Sequence, residues 1–106
     1  MSTALAESIL NVLSERRHEL HRMGVRRIGL FGSAVRDELH PDSDLDFLVE
    51  LDKKSFDAYM DLKEFLEGIF NRRVDLVLAD AIKPQLRDRI LGEALYAQGL
   101  SGVAAG

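Results

Sequence analysis

The chain has 106 residues, of which 46% are hydrophobic and 30% charged, the profile of one globular domain with a single core. It contains no cysteine, which excludes a disulfide framework and a thiolate metal site. No apolar run approaches the ~20 residues that cross a bilayer, and the start lacks a secretory pattern, so a cytoplasmic protein without a membrane role is expected. The net charge of −4 is unevenly spread. Residues 1–36 carry six Lys or Arg against three Glu, and residues 37–106 carry eight against fifteen Asp or Glu. That balance speaks against general DNA binding. The acidic part suits either a divalent cation or a solvated surface.

From Ser2 to Met23, apolar residues Leu5, Ile9, Val12, Leu13, Leu20 and Met23 recur at helical spacings. One helix is expected there, capped by Ser2 or Thr3 and ended by Gly24. Ile28 to Phe31 reads as a short buried strand stopped by Gly32-Ser33. A short helix over 34–39 and a loop through His40-Pro41-Asp42-Ser43 follow. Leu45 to Leu51 is a second strand. Ser55 looks like the cap of a helix with Asp57 in its first turn and an apolar face of Phe56, Tyr59, Leu62, Phe65, Leu66 and Ile69. Val74 to Leu78 is a third strand. Asp80 is a candidate cap for a last helix whose inner side would be Leu86, Ile90, Ala94 and Leu95.

The order is α-β-α-β-α-β-α, an α/β (α+β) domain over residues 1–98 with a flexible tail over 99–106. The sheet is expected to be small, three-stranded and mixed. The long helix between strands two and three permits a parallel crossover, while the direction of the first two strands stays open.

Three aspartates resist a purely structural reading, because Asp is depleted in strands and its carboxylate resists burial. Asp44 and Asp46 stand at the entry of one apolar strand, and Asp75 sits just inside the next. In an extended chain, residues two apart point the same way, ~6.6 Å apart along the strand. Such a pair either shares a hard cation or lies solvated at a strand end. Gly32-Ser33 adds a second signal. A glycine after a buried strand lets the backbone approach a ligand, and the start of a helix offers N–H groups and a hydroxyl to phosphate. A phosphate cradle after one strand and paired carboxylates on the next are the two halves of a nucleoside triphosphate site.

Leu30-Phe31-Gly32-Ser33, ten residues, then Asp44-Leu45-Asp46 resembles the signature of the DNA polymerase β nucleotidyltransferase superfamily. The run GSAVRDELHPDSDLDFLVEL, with Arg36 in place, is similar to its minimal nucleotidyltransferase (MNT) subgroup. VDLV around Asp75 and the later IKPQLRDRILGEALYA extend the likeness over most of residues 24–97. Asp37 departs from several relatives, which have Gly there.

The resemblance implies transfer of a nucleoside monophosphate from a triphosphate such as ATP to an acceptor hydroxyl. Gly32 and Ser33 would hold the β- and γ-phosphates. Asp44, Asp46 and Asp75 would be the catalytic residues and hold two Mg²⁺ ions, with Mn²⁺ an alternative. Arg36 would be a phosphate or partner contact, or an exposed helix residue. His18 and His21, three apart, lack a third metal ligand and read as a solvated face, and His40 as loop surface. At most ~30 residues follow the third strand, enough for one helix and a tail. The acceptor is therefore expected on another protein or on a second copy, in a homo- or hetero-oligomer. Within the MNT subgroup the implied partner is a HEPN-domain RNase toxin, AMPylated on tyrosine by the antitoxin. The competing readings are an antitoxin that only binds, and a stand-alone enzyme for a small molecule.

Overall fold

A computed structural model describes residues 4–36, 43–53 and 55–101. The first helical stretch is two helices, α1 (Ala4–Glu15) and α2 (Arg17–Arg22), where the sequence suggests one. Arg16 leaves helical geometry at φ −102°, ψ 16°, and its N–H is shared between the carbonyls of Val12 and Leu13, each at 3.1 Å. Neither Gly nor Pro marks that break. Ile9, Leu13 and Leu20 are buried as their spacing requires, while Leu5 is exposed and Ala6 takes the inward place. Gly24, at φ +91°, supplies the left-handed residue that ends α2. His18 and His21 are both exposed. The suggested caps Ser2 and Thr3 lie outside the described residues.

The sheet has four strands rather than three: β1 (Val25–Phe31), β2 (Leu45–Leu51), β3 (Val74–Leu78) and β4 (Leu95–Ser101), in the order β3-β2-β1-β4. β1 runs antiparallel to both neighbours, and β2 and β3 are parallel. Helix α3 (Phe56–Phe70) makes the crossover that a parallel pair requires. β4 absorbs Leu95, expected on a helix, and Gly99, Leu100 and Ser101, expected in the tail. Its cause is the second edge of β1, whose backbone groups need partners that β4 supplies. Residues 102–106 lie outside the described residues.

Along β2 the alternation of a strand separates two faces. Leu45, Phe47, Val49 and Leu51 join the main core with Leu13, Leu20, Ile28, Leu62 and Leu66. Phe47 also stacks on Phe70, with ring centroids 5.8 Å apart. Asp46 and Leu48 therefore face the other side.

Ser55 caps α3 as expected, its Oγ accepting the Ala58 N–H at 3.1 Å. Phe56 is 77% exposed rather than inward, because at 3.6 residues per turn it lies about 80–120° around the helix from Leu62 and Leu66. The last helix, α4 (Pro84–Glu93), is preceded by Lys83 rather than capped by Asp80. Pro84 opens it because a first-turn residue needs no N–H, and Asp80 sits in the preceding 3₁₀ turn Ala79–Ala81. None of the residues of α4 is buried. Among the described residues, no helix is long and apolar enough to cross a membrane.

Candidate active site

Gly32 follows β1 directly and begins a 3₁₀ turn, Gly32–Ala34, two residues before the helix that the sequence suggests. The N–H groups of Val35 and Arg36 return to the Gly32 carbonyl at 3.1 and 3.2 Å. The rest of that suggested helix, with Asp37, and the loop residues His40, Pro41 and Asp42 lie outside the described residues. Two constraints demand glycine here. Its φ of +79° is left-handed, and a Cβ would collide with Oδ2 of Asp46 and stand 3.1 Å from its Cγ. The turn and the central aspartate are thus in direct apposition.

Asp46 is placed by the sheet. It pairs with Phe31 across the antiparallel ladder and with Asp75 across the parallel one. Adjacent strands lie ~4.8 Å apart, so two carboxylates on neighbouring strands at matched positions must feel each other. Burial first, then the charges of Asp75 and Asp44, raise the Asp46 pKa to about 6; Arg36 opposes the rise and Glu93 adds to it.

Asp44 stands one residue before β2, exposed, with its carboxylate 3.2 Å from Nε of Arg73. The same turn grips this strand entry twice more. Arg72 donates to the Ser43 carbonyl at 3.0 Å, and the Leu45 N–H donates to the Arg73 carbonyl at 2.9 Å. Asn71, left-handed at φ 52°, ends α3 and turns the chain into β3. Glu67 secures the join, accepting from the Val74 N–H at 3.0 Å and from Lys63 at 2.8 Å. The Lys63 hydrogen bond, then that of Val74, holds its carboxyl below the usual range.

Among the described residues, no three acidic or histidine side chains close on one point as ligands of a single metal would. The donor chemistry nevertheless fits a hard divalent cation. Asp46 sits among like charges that a cation would neutralise, and every donor is a carboxylate oxygen.

The residue that sequence reasoning missed is Glu93, the last of α4. Its Oε2 accepts the Gly32 N–H and its Oε1 accepts from Arg36 Nη1, both at 2.9 Å. Nothing local ties an acidic residue on a helix to a turn 61 positions earlier. Beside this pair lies a cavity of about 220 Å³, walled by Phe31, Gly32, Arg36 and Asp46 on one side and by Leu86, Arg89, Ile90 and Glu93 of α4 on the other. A larger hollow, about 360 Å³ between His21, Gly24, Asp52 and Ser55, touches none of these residues. Size alone therefore does not mark the site. The smaller cavity combines a glycine turn for anions, a facing carboxylate and an apolar wall, as a bound nucleotide needs.

Residues 9–97 match the nucleotidyltransferase domain family. The chain belongs to that family and is an enzyme of nucleotide transfer. It is 39% identical to the protein adenylyltransferase MntA of Thermococcus cleftensis, over 91% of this chain and 99% of that one. A solved structure of a protein assigned as a minimal nucleotidyltransferase is 37% identical, covers 81% of this chain and 93% of its own, and superposes with a TM-score of 0.68. A chain from a toxin–antitoxin crystal structure with AMP-PNP is 23% identical, covering 81% of this chain and 73% of its own with a TM-score of 0.65. That last likeness attests to the fold alone.

Proposed function

We propose that the protein is an antitoxin that transfers AMP from ATP to a tyrosine of a cognate HEPN RNase toxin. The observation that carries the reading is the glycine turn pressed against Asp46, with Asp75 paired to it on the next strand. The turn and the Ser33 hydroxyl receive the β- and γ-phosphates, with Arg36 forking onto their oxygens. Asp44, Asp46 and Asp75 would hold Mg²⁺ or Mn²⁺, which when bound would withdraw charge from the phosphates and the attacking oxygen. The α-phosphate then lies over the aspartates. The tyrosine oxygen attacks its phosphorus, the bond to pyrophosphate breaks, and Asp75, exposed on β3 beside Asp46, takes up the phenolic proton. A phenol suits this site because its pKa of ~10 is far below that of an alkyl alcohol.

Likeness to a named protein adenylyltransferase over nearly the whole chain supports a protein acceptor. The motif from Gly32 to Asp46 supports the toxin as that acceptor, through its resemblance to MNT antitoxins. Both halves meet in one experiment: incubate toxin, this protein, ATP and Mg²⁺, then weigh the intact toxin. One or more added AMP units, absent with Asp44→Asn, is the expected result. An unchanged mass, with wild type and Asp44→Asn neutralising the toxin equally, would establish an antitoxin that acts by binding alone.

A further inference from the structure

We propose that Glu93 is a positioning residue for the triphosphate, holding the Gly32 turn and the Arg36 guanidinium in the arrangement that receives phosphate oxygens. This rests on the nucleotide-transfer reading above and adds to it a residue outside the glycine-aspartate motif. Each carboxylate oxygen has its own task, one on the Gly32 N–H and the other on Arg36. The Glu93 side chain is only 18% exposed and that of Arg36 39%, so the anchor is sheltered and the guanidinium it steadies reaches the cavity. An arginine held by one carboxylate loses much of its rotational freedom before a ligand arrives, which lowers the entropic cost of binding.

The sheet sets where Glu93 stands. Two residues later, Leu95 pairs with Leu30 in β1, and Leu30 is itself two residues before Gly32. The end of α4 is thereby fixed beside the turn by the β1–β4 ladder. A consequence follows for Gly32. Its N–H is committed to Glu93, so its part in phosphate binding is shape and close approach, and the donors pass to Ser33 and Arg36.

The test measures ATP and AMP binding by calorimetry with Mg²⁺ present, for wild type, Glu93→Gln, Arg36→Ala and the double variant. Circular dichroism checks that each is folded. Glu93→Gln keeps an acceptor for Gly32 but loses the charge that holds Arg36. ATP should bind about tenfold more weakly, the scale of one lost charge-assisted hydrogen bond, while AMP, lacking the outer phosphates, keeps its affinity. The double variant should be no weaker than Arg36→Ala, because Glu93 acts through Arg36. If Glu93→Gln fails to fold, Glu93→Asp, which keeps the charge on a shorter arm, should show the same ATP-selective loss. Equal losses for ATP and AMP, unchanged ATP affinity, or independent additive effects would overturn the proposal. Tighter ATP binding would also overturn it, revealing a carboxylate that competes with phosphate. A wild type that binds no nucleotide would instead refute the nucleotide-transfer reading itself, and the role of Glu93 with it.

Discussion

Helices α3 and α4 lie next to one another in sequence and are built to opposite ends. α3 has a serine cap, a left-handed stop at Asn71 and two fully buried leucines, Leu62 and Leu66. α4 has no side-chain cap and no buried residue, and its apolar side chains Leu86 and Ile90 line the cavity beside Asp46. One helix holds the sheet together, and the other walls the site. An apolar stripe on a helix therefore does not tell by itself whether it faces protein or ligand.

The sharpest way to break that contrast is Leu66→Ala. It should cost about 2–5 kcal/mol by chemical denaturation, the range for a fully buried leucine. A loss comparable to that of an exposed leucine would mean that α3 is not the stabilising helix. A second test lies at Asp46, across the cavity from α4. Burial and neighbouring charge lift the Asp46 carboxyl to about 6 in the folded protein, against an ordinary 3.8. A group raised in this way contributes its full stability below pH 3.8 and loses it as pH rises through about 6. With metal chelated, Asp46→Asn should therefore be more stable than wild type to chemical denaturation at pH 8, by about 1–2 kcal/mol once solvent screening is allowed for. The gain should vanish near pH 3.5, and a gain independent of pH would refute the raised Asp46 pKa. The smallest effect on stability is expected for Leu86→Ala, within about 0.5 kcal/mol as for a surface change. Its ATP affinity should nonetheless fall several-fold by calorimetry, and an unaltered affinity would remove α4 from the nucleotide wall.

Much of this arrangement is legible in the residues themselves. The apolar runs at Leu45 to Leu51 and Val74 to Leu78 coincide with β2 and β3, and Ser55 is a cap because its position before a periodic run leaves little else for it to do. The aspartates stand out because carboxylates are costly in strands. Other features depend on distant partners. β4 contains Gly and Gln and has a weak strand pattern of its own, and it is a strand because β1 has an edge to fill. The break at Arg16 carries no local marker. Glu93 is one acidic residue among fifteen in the second part of the chain, and only the sheet brings it to Gly32.

The position of β4 beside β1 also governs when the site matures. In folding, the β1–β2 and β2–β3 pairings join segments much nearer in sequence than the β1–β4 pairing, in which Arg27 meets Ser101. Closing so long a loop costs the most chain entropy of the three pairings, so β4 docks last. Until that strand docks, Glu93 is not held at the turn and its bond to Arg36 is not made. The folding protein thus brings Asp46 and Asp75 together before its phosphate grip is complete, and nucleotide capture waits on the docking of β4.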